Sequence, residues 1–252
     1  RWRDEESFLK SNKVGQLVKN RLEHVDLIFD LRKKYFNPRL IKYVGANGWT
    51  HPWVYFDALM YYLLLTCFDL LGQNPEWVSL SEWLTSKKKT GEREAVECTI
   101  GNGASPQSIA QIFFEAYQRM YGVRSAFNHF ILNLLTEDER SELFHNLEIV
   151  RGRMGGDPNT SYPALGYVED ESKKVDFLFR LRNKFTHSAV IMGSPAAGVF
   201  PDFYEPLVFD GKPMKRYSEI YREEKGGEWL IYQVCDWPFL LVRLITAVLD
   251  RR

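Results

Sequence analysis

Apolar residues recur along most of this chain at the three- and four-residue spacing of a helix with one buried face. Residues 14–36 place Leu17, Val18, Leu22, Val25, Ile28 and Phe29 along one helical arc, and Pro38 ends the run. Residues 53–71 are the most continuously apolar stretch, opened by Pro52 at a position suited to a first helical turn. Ser79-Leu80-Ser81-Glu82 has the Ser-x-x-Glu form of a capping box and predicts a short helix through Trp83. Ser105 followed by Pro106 predicts the start of another helix, whose stripe is Ile109, Ile112, Phe113, Ala116, Tyr117 and Met120. After the break at Gly122 a second stripe follows, with Val123, Phe127, Ile131 and Leu134. Thr136-Glu137-Asp138-Glu139 repeats the capping-box form and predicts a helix carrying Leu143, Phe144, Leu147 and Val150. The short connections between these segments imply antiparallel neighbours.

The pattern then changes. Residues 152–166 are rich in Gly, Pro, Asn and Ser and read as a loop, while residues 175–188 return to helical spacing, with Asp170 or Ser172 available as a cap. Residues 193–213 mix Gly, Pro and aromatics, as a long irregular connection does. Residues 216–222 and 228–234, joined through Gly226-Gly227, predict a β-hairpin. Residues 237–249 are apolar on nearly every side, which predicts a helix sandwiched between others. The fold class expected is mainly α: a helical bundle with a small β-hairpin inserted before the C-terminal helix. Stripe matching sets residues 175–187 against the helices at 105–121 and 122–135. Residues 1–100 form an N-terminal helical region and residues 101–252 the bundle proper.

Residues 175–188 hold the densest polar chemistry of the chain. At about 100° per residue, Leu178, Leu181 and Phe185 collect on one side and Arg180, Asn183, Lys184 and His187 on the other. Arg182 falls near the apolar edge, about 140° from His187 by the same arithmetic. These two converge only if the last turn unwinds, if Arg182 curls round, or if a second copy of the helix completes the arrangement across a two-fold axis. Histidine exchanges a proton near neutral pH. Arginine holds phosphate oxygens in a permanently charged, planar fork.

The run Arg182-Asn183-Lys184-Phe185-Thr186-His187 resembles the Arg-Asn-x-x-x-His signature of the HEPN superfamily, helical bundles found in RNases, toxins and defence proteins. The resemblance covers six residues and their setting, an amphipathic helix before and a strand-like segment and apolar helix after. It implies a metal-independent endoribonuclease that needs no cofactor and cleaves single-stranded RNA by attack of the RNA's own 2′-OH. His187 would be the acid–base, Arg182 the stabiliser of phosphate charge and Asn183 the orienter. It also implies a homodimer in which two such helices line one cleft, and a toxin, defence or RNA-processing role with an antitoxin or other protein as partner. Arg180 and Lys184, on the face of His187, are added from the helical spacing as contacts to the RNA backbone. The alternative is a catalytically silent bundle of the same architecture, a nucleotide-binding or protein-interaction module.

Composition trims this picture. At 45% hydrophobic over 252 residues the chain can bury a substantial core, so a disordered tail is excluded. The 33 Lys and Arg balance 33 Asp and Glu, so attraction to RNA must come from local clusters. Cys67, Cys98 and Cys235 are far apart and form no Cys-x-x-Cys pair, which suggests neither a disulfide framework nor a zinc site and fits a cytoplasmic location. The charged opening, Arg1-Trp2-Arg3-Asp4-Glu5-Glu6, is no signal-peptide core. Asp57 and Asp69 interrupt the apolar stretch at 53–71, so a core helix is expected there and no membrane association. Lys87-Lys88-Lys89 with Arg93 reads as an exposed loop, and Gly101-Asn102-Gly103 lacks the Gly-Lys-Ser/Thr of a P-loop. Arg124 and His129 repeat the Arg-to-His spacing without the following Asn.

Overall fold

The computed structural model describes residues 13–35, 52–153, 164–188, 208–209, 212–213, 218–235 and 237–252. They are mainly helical, with a small antiparallel sheet ahead of the C-terminal helix. The helices are α1 (Lys13–Tyr35), α2 (Pro52–Gly72), α3 (Leu80–Thr85), α4 (Thr90–Glu97), α5 (Pro106–Tyr121), α6 (Val123–His129), α7 (Glu137–His145), α8 (Glu171–Ser188) and α9 (Phe239–Asp250). A 3₁₀ turn, Lys87–Lys89, precedes α4, and a π-helical turn, Phe130–Leu134, follows α6. The strands are β1 (Leu147–Arg153), β2 (Ala164–Tyr167), β3 (Val208–Phe209), β4 (Lys212–Pro213), β5 (Ser218–Lys225) and β6 (Glu228–Val234). Most of the irregular stretch expected at 193–213 lies outside the described residues.

Contacts divide the chain into two units, Arg1–Cys67 with Leu135–Arg252, and Phe68–Leu134. A boundary near residue 100 does not coincide with this division, because one aromatic cluster joins the segments on its two sides. Trp83 of α3 is fully buried and packs with Ala116, Tyr117 and Tyr121 of α5, its ring centred 5.8 Å from that of Tyr117. Ser105 caps α5 through the Ser108 amide with Pro106 in the first turn, as the sequence predicts. Ser79 likewise caps α3. The Lys87–Lys89 run is a helical turn feeding α4 rather than a loop; Lys87 and Lys88 are exposed as expected, but Lys89 is buried at 7% exposure. In the same unit Phe68, at the end of α2, stacks on Phe130 with centroids 4.1 Å apart.

The other unit holds α1, most of α2, α7, the sheet, α8 and α9. Val18, Leu22, Val25 and Ile28 of the predicted stripe of α1 are buried, whereas Leu17 is exposed, and Arg21 donates to the Thr66 carbonyl at 2.7 Å. Phe29 stacks on Phe239 at 5.4 Å, and Tyr61 meets Trp237 edge-on at 5.6 Å. Helix α9 buries Leu240, Leu241, Leu244, Ile245, Val248 and Leu249, the broad apolar surface expected of it. Thr136 and Glu139 form the complete capping box of α7.

Helix α7 stops at His145, short of the expected run through Val150. Leu147, Ile149 and Val150 lie in β1, paired with β6 through Leu147↔Val234, Ile149↔Tyr232 and Val150↔Ile231. Their spacing satisfies a helix, but the adjacent β-branched Ile149 and Val150 favour a strand once a partner strand exists. Part of the loop expected at 152–166 is therefore strand as well. The sheet order is β2-β1-β6-β5, all antiparallel. The hairpin β5–β6 turns through Gly226 (φ 63°) and Gly227 (φ 82°), the left-handed pair that a two-residue turn requires. Helix α8 lies on this sheet: Phe177 stacks on Tyr232 with centroids 4.2 Å apart. A purely helical setting for residues 175–187 thus gives way to a helix-on-sheet one, because the second sheet face needs an apolar cover.

Candidate functional site

Helix α8 begins where Asp170 accepts from the Ser172 amide at 2.9 Å and the Ser172 hydroxyl at 2.6 Å. The bond from the Ser172 hydroxyl comes first among the causes holding the Asp170 carboxyl below its ordinary range. The buried stripe is Lys174, Val175, Phe177, Leu178 and Leu181. Lys174 is the polar exception: its ammonium donates 2.7 Å to the Phe144 carbonyl in the last turn of α7, where the helix dipole favours a cation. Burial lowers the Lys174 pKa, with Glu169 and Glu148 opposing.

The backbone of α8 is helical without interruption to Ser188. Unwinding of the last turn between Arg182 and His187 is therefore not how these residues could meet. Arg182 does curl: its Nη1 donates 3.1 Å to Asn183 Oδ1, and both residues are partly exposed. Asn183 lies about 40° from His187 around a helix, against about 140° for Arg182, so this bond turns the guanidinium toward the His187 side. Side chains of α8 are described as far as Asn183, and those of Lys184 and His187 lie outside the described part.

Arg180 is engaged more fully. Its Nη1 is 3.0 Å from Glu223 Oε2, its Nη2 donates 2.9 Å to Tyr232 Oη, and its side chain stays 44% exposed. Tyr232 Oη in turn donates 2.6 Å to Glu223 Oε1, and the Tyr221 hydroxyl donates 3.4 Å to Oε2. Burial pushes Glu223 up, but the bonds from Arg180 and Tyr232 outweigh it and hold the carboxylate below its ordinary range. Burial first and Glu223 second push the Tyr232 phenol up to about 12. Around Arg180 itself, desolvation opposes the charge and the bonds to Glu223 and Tyr232 prevail, so its pKa rises.

Reading the sequence identifies Arg180 but none of these three partners, which sit 41 to 52 residues downstream. The period of the hairpin places Tyr221, Glu223 and Tyr232 on one face, since Tyr221↔Tyr232 and Glu223↔Leu230 are paired positions. Nothing in that period says which helix covers the face. The second Arg-to-His spacing lies on α6, where His129 contacts Asn133 Oδ1 at 3.2 Å on an exposed surface.

Among the described residues no three or more His, Cys, Asp or Glu side chains gather as a metal site. Nor is any described helix long and apolar enough to cross a membrane. Comparison of the chain with protein-family models, with curated proteins and with solved structures finds no match.

Proposed function

We propose that this protein is a metal-independent endoribonuclease acting on single-stranded RNA, with Arg182, Asn183 and His187 at its centre. The observation that carries the reading is the Arg182–Asn183 bond at 3.1 Å on an unbroken helix, which brings the guanidinium toward the side on which His187 falls. In the reaction the RNA 2′-oxygen bonds to the adjacent phosphorus and the bond from phosphorus to the 5′-oxygen breaks. A base takes the 2′-OH proton, and the departing oxygen leaves as a 5′-hydroxyl after gaining one. The product on the other side is a 2′,3′-cyclic phosphate. His187 moves the proton, Arg182 holds the extra negative charge of the transition state through its fork, and Asn183 orients Arg182. Lys184 contacts the RNA backbone. Two chains pair so that two copies of α8 complete one cleft, and the protein serves as a cytoplasmic toxin, defence or RNA-processing factor with a protein antagonist.

One observation favours the silent alternative, a nucleotide-binding or protein-interaction module: the fork of Arg180 is engaged by Glu223 rather than open to RNA. A cleavage assay separates the two. Single-stranded RNA incubated with the protein in EDTA is expected to yield 2′,3′-cyclic phosphate and 5′-OH ends, and DNA is expected to survive. His187→Ala should lower the rate about 100-fold or more, the scale of lost acid–base catalysis. Arg182→Lys, which keeps charge but loses the fork, should also impair it. Cleavage that needs a metal, cuts DNA equally, or persists in His187→Ala would leave the silent module as the better account.

A further inference from the structure

Arg180 stands one helical turn before Asn183, on the face that carries the proposed RNA site, yet its guanidinium faces a carboxylate. The two oxygens of Glu223 lie 3.0 Å and 3.5 Å from Nη1 and Nη2. That is the side-by-side arrangement in which a guanidinium takes two non-bridging oxygens of a phosphodiester. Tyr232 holds the assembly from beneath, accepting from Arg180 while donating to Glu223, with its ring stacked on fully buried Phe177. The Arg180 guanidinium also lies 5.6 Å over the Tyr232 ring. The phenol and the ring thus hold Arg180 through contacts that do not pass through Glu223.

We propose that Glu223 is a built-in stand-in for a backbone phosphate: it occupies the Arg180 fork when no RNA is bound and yields it to a phosphodiester when RNA arrives. The inference rests on the ribonuclease reading and adds to it a control on affinity. Arg180 is half-exposed and reachable from solvent, whereas Glu223 is 23% exposed and anchored on β5. RNA therefore approaches the arginine from the open side, and the carboxylate swings away. Because the pair is neutral as it stands, Arg180 adds nothing to long-range attraction until the exchange occurs. The protein then holds RNA less tightly than its arginines would permit, which favours release of cleaved ends.

The test is equilibrium binding of a fluorescently labelled single-stranded RNA to the full chain carrying His187→Ala, the variant expected to slow cleavage about 100-fold or more. Glu223→Gln is expected to tighten binding several-fold and to steepen the salt dependence by about one phosphate contact. Adding Arg180→Ala should abolish that gain. Glu224→Gln, which removes the same charge from the exposed neighbour, should give less than half of it. If Glu223→Gln lowers the thermal midpoint, Glu223→Asp makes the same test at constant net charge, since the shorter side chain withdraws from Arg180, and it too should tighten binding. Unchanged or weaker binding in a folded Glu223 variant, or a gain that survives Arg180→Ala, overturns the stand-in while the ribonuclease reading remains. Failure of every variant to bind RNA overturns that reading, and the stand-in with it.

Discussion

Lys89 shows how one residue gains meaning from its partners. In a run of lysines it looks like surface charge, but its ammonium lies 2.8 Å from both Glu76 and Glu92 and 5.3 Å over the Tyr121 ring. Glu92 also accepts from Trp83 Nε1 at 2.8 Å and from the Tyr121 hydroxyl at 2.9 Å. Burial pushes the Glu92 carboxyl up, and the bonds from Lys89, Tyr121 and Trp83 overcome this and hold it below its ordinary range. Bonds to Glu76 and then Glu92 raise the Lys89 pKa. A carboxyl depressed in the fold contributes stability above its unfolded value and loses it as pH falls through the folded one. Stability measured by denaturant titration should therefore decline from about pH 4.5 downward, and Glu92→Gln should flatten that decline while costing about 1–3 kcal/mol at pH 7. A decline of unchanged steepness in Glu92→Gln would show that other carboxyls govern it. Tyr232 predicts the opposite limb. Its phenol is raised from 10.0 to about 12, so its contribution is whole below pH 10 and disappears as pH climbs toward 12. Burial also raises Tyr117, Tyr121 and Tyr221, so tyrosinate absorbance should show a group of phenols titrating late, and Tyr232→Phe should remove one phenol from it.

At the scale of elements, close approach and turn chemistry decide where segments can sit. A Cβ on Gly72 would lie 1.9 Å from the Ala126 carbonyl oxygen, so the end of α2 meets α6 backbone to backbone. Neither partner is a flexible side-chain tip that can swing aside. Gly72→Ala should destabilise the fold by at least about 2 kcal/mol, the scale of overpacking, measured as a shift in the urea midpoint. An unchanged midpoint would mean that α2 and α6 separate without cost. Gly227 differs in cause: a side chain there meets open space, and only its φ of 82° resists substitution. Gly227→Ala should cost about 1 kcal/mol, from backbone strain alone.

For the whole molecule the testable matter is assembly. If two copies of α8 complete one cleft, specific activity per chain should fall as the protein is diluted through its dimerisation constant, and light scattering should report twice the chain mass above it. Activity independent of concentration, with a monomer by scattering, would place the working site within one chain. Ion pairs tie α7 to α9: Glu139 reaches Arg251 at 2.6 Å and Glu142 reaches Arg243 at 2.7 Å. The Arg251 bond leads the causes that hold the Glu139 carboxyl low. These pairs are solvent-reachable and make a small contribution each.

The helices whose signals are local can be read from the chain directly. Capping residues at Ser79, Ser105 and Thr136, the stripes of α1 and α5, the apolar breadth of α9 and the Gly226-Gly227 turn each act within a few residues of chain, so the sequence states them directly. It also located Arg182, Asn183 and His187 on one helix, because residue type and spacing are all that such a motif contains. Tertiary structure decided the rest. Leu147 and Val150 suit a helix or a strand, and only the presence of β6 opposite makes them β1. Lys89 is a surface lysine until Glu76 and Glu92 fold onto it. The period of α8 says that one side is buried, but not that a sheet buries it, nor that Arg180 meets Glu223 and Tyr232 there. Period reports the angle at which a side chain leaves its element, whereas the partner it meets is set by how distant segments pack, and the chain carries no local mark of that.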